Sequence, residues 1–435
     1  MYTNKLILYS FLFIVCSLTK LSSQAPTKPF KGKILFENGT LHVGNGYTIE
    51  KSYLGIENGT IILVKNALAH TLDKSQFDTV INVNGQHIYP GFIAPNSILG
   101  LTEIDAVRAT RDFFEVGEYN PHIRALIAFN VESTIISTVR ANGVLITQAT
   151  PQGGVIAGSS SIFQLDGWNW EDAVITKDDG IHLNWPNFIS KTRRETKANE
   201  KYAEEVMAIG TFFKGAIAYH NDKNKSKKLD LRFEAMNRLF GGNQRLFVHA
   251  NQIQELLDII DFVKEFGISN PVIVGGYDSY LITSQLKDAK IPIMLGRVHE
   301  LPKRDEDDIH LPFKLPFLLQ KAGILFCLDN QGDMEAMNTR NLAFLAGTAR
   351  AYGLSTEEAI ASVSYNTAKI LGIDKQFGSL EEGKKATLFI SNGDALDMSG
   401  NKVSIALING KFIDLSNRQS DLYEKYKAKY KSMED

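Results

Sequence analysis

The sequence predicts an α/β fold in its middle part and β-rich segments at both ends of the chain. From residue 88 to about residue 371, short apolar runs typical of buried strands alternate with amphipathic helical stretches. This alternation favours parallel strands joined by crossover helices. The 435 residues, of which 44% are hydrophobic, suffice for one barrel with an added domain or for two ordinary domains.

Seven apolar runs in the middle part are predicted strands, covering residues 88–94, 143–149, 161–165, 245–249, 271–274, 291–295 and 324–328. The clearest helix covers residues 252–266, where apolar side chains recur at helical spacing until Gly267. A last helix over residues 356–371 is preceded by Ser355, and Glu358 completes the pattern of a capping box.

The β-rich ends, residues 32–83 and 378–415, consist of short alternating runs separated by Gly and Asn. The pairs Asn38-Gly39 and Asn58-Gly59 are hairpin signals between such runs. Because similar segments flank the α/β part on both sides, we expect one composite β-sandwich built from both ends of the chain.

The first 24 residues have the order of a secretory signal peptide, with Lys5, an apolar stretch from Leu6 to Val15, and then small and polar residues. The stretch is shorter than the roughly 18 apolar residues that a spanning helix needs, and no later window approaches that length. We therefore expect an exported protein, periplasmic or extracellular, without a membrane span. Cys327 lies in an apolar run and is interpreted as a buried structural thiol.

The charges nearly balance, with 47 Lys and Arg against 49 Asp and Glu. No basic footprint for nucleic acid or for an anionic membrane follows from this composition. A small-molecule or peptide-like ligand is therefore the expected partner.

Five motifs stand in the order found in amidohydrolases: Pro90-Gly91-Phe92-Ile93, Val248-His249-Ala250, the helix over residues 341–354, the segment 355–372 and the loop GSLEEGKKA at residues 378–386. The chain resembles the amidohydrolase superfamily, and within it the imidazolonepropionase-related group. The resemblance implies a distorted (β/α)8 TIM-like barrel over residues 88–374. It also implies a composite β-sandwich domain from residues 30–87 and 375–415, and a charged C-terminal helix or tail over residues 416–435. The fourth barrel strand is not evident.

The first barrel strand departs from the family pattern. Amidohydrolases follow Pro-Gly-x-Ile with Asp and then His-x-His, and the matching positions here are Ala94, Asn96 and Ile98. Residues i and i+2 of a strand point the same way, so His-x-His aims two imidazoles at the barrel mouth. An amide oxygen is a poor zinc ligand, and a strand without any ligand role is the competing interpretation.

Two residues match the other metal-binding positions of the family. His249 matches the fifth-strand histidine, and Asp329 matches the eighth-strand aspartate, which in the family also takes a proton from the attacking water. The resemblance thus implies both residues as ligands of a divalent metal, zinc, and as the catalytic residues. The alternatives are a histidine that is hydrogen-bonded in the mouth without an ion, and an aspartate that caps the next segment.

The sixth strand ends in Gly275-Gly276-Tyr277, where the family places a further histidine. Two glycines leave space and backbone N–H groups for an anionic or carbonyl group, or they form a tight turn. These three residues are predicted to bind substrate, together with Asn96 and with Gly153 and Gly154 of a glycine-rich loop. His182 is assigned to a loop.

The resemblance implies hydrolysis of a C–N bond, other than an ordinary peptide bond, in a cyclic amide or peptide-like substrate. Only two of the four usual metal ligands are present, so the scaffold also fits a catalytically inactive paralogue. Such a paralogue would bind a ligand, or pair with an intact amidohydrolase homologue or with a second copy of itself. A metal-free hydrolase is a third alternative, and it requires Asp329 and His249 within hydrogen-bond reach.

Overall fold

The computed structural model describes residues 26–191, 196–222 and 228–431. The predicted signal peptide, residues 1–24, lies outside these ranges, as do the last four residues of the predicted C-terminal tail. Within the described ranges, no helix is both long enough and apolar enough to cross a membrane.

The strands of the described residues are β1 (Lys33–His42), β2 (Thr48–Glu57), β3 (Thr60–Asn66), β4 (Thr79–Asn82), β5 (His87–Pro90), β6 (Phe92–Ser97), β7 (Val144–Ala149), β8 (Ile156–Gln164), β9 (Val174–Asn184), β10 (Ile189–Lys191), β11 (Thr196–Ala198), β12 (Arg245–Ala250), β13 (Pro271–Gly275), β14 (Ile293–Leu295), β15 (Phe326–Leu328), β16 (Leu388–Ser391), β17 (Val403–Ile408) and β18 (Lys411–Phe412).

The α-helices of the same ranges cover Thr134–Arg140, Trp170–Ala173, Tyr202–Asn221, Leu231–Phe240, Ile253–Glu265, Thr283–Ala289, Leu311–Ala322, Glu335–Asn338, Leu342–Ala351, Thr356–Ser362, Tyr365–Leu371 and Arg418–Lys431. Short 3-10 helices cover Lys74–Gln76, Arg108–Thr110, Ala125–Ile127, Tyr277–Leu281 and Thr339–Asn341.

Both ends of the chain meet in one eight-stranded sheet, in the order β18-β17-β16-β5-β1-β2-β3, with β4 paired to β1. The predicted hairpin signal Asn58-Gly59 lies between β2 and β3, and both residues have the positive φ that such a turn requires. Phe36, Leu54 and Leu388 are buried in a separate core of this sheet. The prediction of a β-domain drawn from both chain ends is confirmed.

The middle part forms a second eight-stranded sheet, in the order β6-β7-β8-β9-β12-β13-β14-β15, which curls into a nearly closed barrel. The predicted TIM-like barrel is therefore confirmed, with one distortion. Strand β8 runs antiparallel to both β7 and β9, so the expectation of parallel strands is wrong at this position. The short links before and after β8 explain this direction, because a parallel connection needs a crossover of a dozen or more residues.

The fourth barrel strand, which was not evident from the sequence, is β9. Its first half carries Thr176, Lys177 and Asp178, so it shows no continuous apolar run. Its second half is buried although it contains Asp179 and His182. Buried polar side chains thus hid this strand from a hydrophobic pattern.

The predicted strand over residues 88–94 is in fact two strands in different sheets. Strand β5 pairs with β16 in the β-domain, and β6 starts the barrel. Gly91 lies between them, and a side chain there would approach Thr387 Cγ2 to 2.9 Å and Leu145 Cδ1 to 3.0 Å. The chain changes sheets at this residue because a glycine allows the close approach.

The capping box predicted at Ser355 is confirmed, since Glu358 and Ser355 exchange side-chain to backbone hydrogen bonds. The helix predicted over residues 356–371 is interrupted, however, after Ser362. At the interruption the Val363 carbonyl accepts a 2.8 Å hydrogen bond from the backbone N–H of Ile93 on β6. The break therefore supplies a partner to the first barrel strand.

Phe389 joins the β-domain to the barrel. Its ring stacks on Tyr89 with centroids 5.2 Å apart and packs edge-on against Phe92 at 4.9 Å. Phe389 is fully buried, so it contributes packing on both sides of the joint.

We expect Phe389→Ala to lower the free energy of unfolding by about 3–5 kcal/mol, because it leaves a cavity where the two sheets meet. Urea denaturation followed by circular dichroism measures this change. Tyr47→Ala is the control, since Tyr47 is 72% exposed, and it should cost less than about 0.5 kcal/mol. Equal effects of the two substitutions would contradict the role of Phe389.

Candidate functional site at the barrel mouth

A cavity of about 1020 Å³ opens at the carboxyl ends of the barrel strands. Active sites of barrel enzymes lie at this end. The residues that line it and take part in the contacts below are Asn96, Ile98, Gln152, Gly153, Asn184, His249, Gln331 and Glu335. Three of the residues predicted from the sequence, Asn96, Gly153 and His249, are therefore brought together at one cavity.

Asn96 and Asp329 form a buried hydrogen bond. The Asn96 Nδ2 donates to Asp329 Oδ2 at 2.7 Å, and the other carboxyl oxygen accepts from the backbone N–H of Gln331 at 3.1 Å. Burial raises the pKa of Asp329 to about 7, although the bond from Asn96 acts in the opposite direction. Asn96 lines the cavity and Asp329 does not. The Asn96 amide is therefore hydrogen-bonded to the Asp329 oxygen that a metal ion would need as a ligand.

A polar layer supports Asn96 from the second, third and fourth strands. Asn96 adopts a left-handed backbone conformation with φ of 46°. Its N–H donates to Gln148 Oε1 at 3.0 Å, and Gln148 Nε2 donates to Asp179 Oδ2 at 2.7 Å. Asp179 also accepts from Ser160 Oγ at 2.8 Å. Burial raises the pKa of Asp179 to about 6 despite these two donors.

His249 is paired with His182, which lies on strand β9 and not in a loop as expected from the sequence. His182 Nδ1 and His249 Nε2 are 2.9 Å apart, and the His182 ring stacks on Phe247 with centroids 4.6 Å apart. Burial lowers the pKa of His249 to about 4 and that of His182 well below its usual value. Both rings are therefore neutral at neutral pH.

Glu335 is a site residue that the sequence reasoning missed. Its Oε1 accepts from the backbone N–H of Ile98 at 2.8 Å, and its Oε2 accepts from Gln152 Nε2 at 3.3 Å. Burial, followed by the neighbouring charge of Asp329, raises the pKa of Glu335 well above its usual value. The signal in the sequence was a carboxylate that follows the eighth strand shortly after Asp329 and Asp333.

The three residues predicted at the end of the sixth strand lie beside the main cavity. Gly275 and Tyr277 line a small neighbouring pocket of about 20 Å³. The N–H of Gly276 donates to the Ala250 carbonyl at 2.8 Å, and a side chain at Gly275 would come within 2.8 Å of Asn251 Oδ1. These glycines form the tight turn of the alternative interpretation.

The glycine-rich loop reaches the cavity with Gly153. Gly154 is held from the fourth strand, because its carbonyl accepts from Asn184 Nδ2 at 2.8 Å. Its φ of 62° and a would-be Cβ contact of 2.7 Å with the Gly117 carbonyl both require glycine. Gly154 thus shapes the loop that presents Gly153.

Comparison with known proteins agrees with this architecture. Residues 313–416 match the family described as Amidohydrolase family. An amidohydrolase from Thermotoga maritima MSB8 superposes with a TM-score of 0.76 at 24% identity, over 88% of this chain and 99% of that chain. The chain has the amidohydrolase fold. No curated protein matches the sequence.

Two further solved structures share this fold more distantly. A prolidase complexed with N-methylphosphonate-L-proline has a TM-score of 0.52 at 14% identity, over 88% of this chain and 99% of that chain. A Xaa-Pro dipeptidase with bound methionine in its active site has a TM-score of 0.52 at 13% identity, over 88% and 100%. At these identities the likeness concerns the amidohydrolase fold and not the substrate.

The donor set at the mouth does not fit the divalent metal that the resemblance implies. In the described part of the chain, no group of three or more His, Cys, Asp or Glu side chains could hold a metal ion. Ala94 and Ile98 bring no donor atom, and Asn96 directs an N–H at Asp329. Zinc sites take at least three protein ligands. His249 and Asp329 alone do not provide them.

His249 and Asp329 are also not joined to each other. Each is hydrogen-bonded to another partner, His249 to His182 and Asp329 to Asn96 and Gln331. The metal-free hydrolase requires a direct acid–base pair, and the described contacts provide none.

We expect Asp179→Asn to remove a pH-dependent loss of stability. The Asp179 carboxyl has a pKa of about 6 in the folded state against 3.8 in the unfolded chain. Between these values the unfolded state binds fewer protons, so stability falls as pH rises, by about 3 kcal/mol in total. Urea denaturation from about pH 4 to about pH 7 measures the slope.

Asp179→Asn replaces the carboxyl with a neutral amide of the same shape. The fall in the free energy of unfolding with rising pH that this carboxyl causes should then vanish. Asp397→Asn is the matched control, because hydrogen bonds from Ser399 lower the pKa of this exposed carboxyl and the pH dependence then has the opposite sign. If the stability of wild type and of Asp179→Asn depends on pH in the same way, the buried carboxyl is ionised over the whole range, and the prediction is wrong.

Proposed function

We propose that this chain is an amidohydrolase-family protein that binds a cyclic amide or peptide-like compound at the barrel mouth, with its metal site largely lost. The observation that carries the proposal is the 2.7 Å hydrogen bond from Asn96 Nδ2 to Asp329 Oδ2. It places an amide N–H on the carboxylate that serves as metal ligand and base in the resembling family. Ligand binding without catalysis is the function that this geometry supports best.

The chemistry of the mouth suits an uncharged amide group. Asn96, Gln152 and Asn184 bring amide groups, His249 is neutral at neutral pH because burial lowers its pKa to about 4, and burial raises the pKa of Glu335 well above its usual value. Neutral donors and acceptors satisfy a carbonyl and an N–H without the desolvation cost of an ion.

Charged residues also line the cavity, and they extend this match to peptide-like compounds. Arg111 and Lys303 are basic, and Glu300 and Asp333 are acidic. Side chains of both signs complement the carboxylate and ammonium groups of a short peptide.

Hydrolysis of a C–N bond other than an ordinary peptide bond is the second candidate function. Two observations favour it: the family match over residues 313–416, and a pKa of Asp329 of about 7, which suits a general base. For this reaction Asn96 would have to release the Asp329 carboxyl to a water molecule.

An inactive paralogue has a natural partner in an intact amidohydrolase homologue or in a second copy of this chain. We infer that this chain and its partner would associate outside the cytoplasm, because the first 24 residues have the order of a signal peptide. Co-purification of the tagged chain from its own cells tests both the export and the partner.

We expect a proline-containing cyclic dipeptide to bind the purified full chain without being hydrolysed. Asn184→Ala should weaken binding about tenfold, because it removes an amide group that lines the cavity and one hydrogen bond in a desolvated site contributes about 1.4 kcal/mol. Isothermal titration calorimetry measures affinity, and mass spectrometry of the mixture measures turnover. Glu306→Ala is the control, since its side chain is 77% exposed and outside the cavity.

The metal content of the same protein separates the two candidate functions. Elemental analysis should find no stoichiometric zinc, and His249→Ala should leave the metal content unchanged. Stoichiometric zinc that disappears in His249→Ala, together with turnover of the dipeptide, would establish the hydrolase and reject the binding protein.

A further inference from the structure

His182 and His249 face the interior of the barrel at different depths. On the neighbouring strands β9 and β12, His182 stands opposite Phe247 and His249 stands opposite Asn184. Alternate residues of a strand point to the same side, so these four side chains share the inner face. His249 and Asn184 line the cavity, whereas His182 lies farther from the carboxyl end of β9 and is fully buried.

The contact between the two rings restricts where their protons lie. A neutral imidazole carries one N–H and one lone pair. The 2.9 Å approach of His182 Nδ1 and His249 Nε2 therefore needs one ring as donor and the other as acceptor. The geometry allows two arrangements, which differ in what they leave on the far nitrogen of His182.

The far nitrogen of His182 decides between the two arrangements. Nε2 of His182 is buried and has no hydrogen-bond partner among the described residues. If this nitrogen carried the proton, a buried N–H would lack an acceptor, which is rare in folded proteins. If Nδ1 carries it, only a lone pair stays unpaired, and Nδ1–H donates to His249 Nε2. The second arrangement costs less.

It follows that His249 carries its own proton on Nδ1. This atom makes no hydrogen bond with any described residue, and His249 is partly exposed where it lines the cavity. The nitrogen that a ligand meets is then a donor. Nε2, whose lone pair would otherwise bind a cation, accepts from His182.

We propose that His182 is a positioning residue that holds His249 in the Nδ1–H tautomer, so that the barrel mouth presents an imidazole N–H to the carbonyl oxygen of an amide ligand. The choice of an amide rests on the proposed function. The position that matches a metal-binding histidine of the resembling family is thereby a hydrogen-bond donor, and its metal-binding lone pair is turned to His182.

Asn96 supplies the complementary acceptor at the same cavity. Its Nδ2 donates to Asp329, so Oδ1 is the amide atom left for a ligand. A donor on His249 and an acceptor on Asn96 match the C=O and N–H groups that an amide ligand offers. This pairing explains why an amide is favoured over a lone carboxylate, which offers acceptors only.

Long-range ¹H–¹⁵N correlation spectra of the labelled full chain at neutral pH test the proposal directly. The two ring nitrogens of His249 should show the proton on Nδ1, and loss of these signals in His249→Gln assigns them. One equivalent of zinc chloride should leave them unchanged. A proton on Nε2 of His249, or a zinc-induced shift of its nitrogens, would overturn the proposal.

His182→Phe removes the donor while it keeps an aromatic ring against Phe247. The Nε2–H tautomer of His249 should then rise, because free neutral imidazole side chains favour it, and binding of the cyclic dipeptide should weaken about tenfold. His299→Gln is the control, since His299 pairs with Thr348 Oγ1 at 2.6 Å instead, and it should leave the His249 signals in place. If His182→Phe does not fold, the position of the His249 proton in the wild-type spectrum still tests the proposal.

The outcomes for this proposal and for the proposed function can be told apart. An Nδ1–H tautomer without binding of the cyclic dipeptide would reject the proposed function and keep the positioning role of His182. Binding with an Nε2–H tautomer on His249 would reject the positioning role alone.

Discussion

The hydrogen bond between Asn96 and Asp329 lies where the barrel is open. The barrel sheet runs from β6 to β15, and no strand ladder joins these two end strands in the described part of the chain. Three hydrogen bonds lie at this gap beside β6 and β15, the seam of the barrel. They join Asn96 Nδ2 to Asp329 Oδ2, the N–H of Ile98 to Glu335 Oε1, and the N–H of Ile93 to the Val363 carbonyl. Unpaired buried donors are costly, so these acceptors are required for the barrel to close.

The same requirement governs the chemistry of the mouth. Asp329 and Glu335 are committed to closing the seam, and burial raises the pKa of both. On the opposite wall, burial lowers the pKa of His182 and His249. Burial thus shifts the pKa of all four groups in the direction that favours their uncharged forms. The buried wall of such a site distinguishes ligands by the direction of hydrogen bonds, while the charged residues that also line the cavity interact with the charged groups of a ligand.

Much of the fold follows from local sequence signals that have a direct physical cause. The hairpin at Asn58-Gly59 and the capping box at Ser355 each depend on a few adjacent residues. Strand β9 could not be found in this way, because its buried half carries Asp179 and His182, whose partners come from other strands.

The candidate site could be predicted from the sequence only in part, for the same reason. His249 and Asp329 could be named because they occupy family positions. Glu335 and His182 act through contacts with Ile98 and His249 that the chain brings together only on folding. The direction of β8 likewise depends on the lengths of its links, which a search for apolar runs does not weigh.

The reversed strand β8 has a consequence for how the chain reaches its native state. Strands β7, β8 and β9 form a meander in which each strand pairs antiparallel with the next one along the chain. Pairing of this kind closes only short loops, whereas Leu388 must find Pro90 across the whole barrel sequence before the β-domain exists. The meander therefore offers the barrel pairings between neighbouring segments, whereas the contact that ties the two ends of the chain together has to close a loop as long as the barrel sequence.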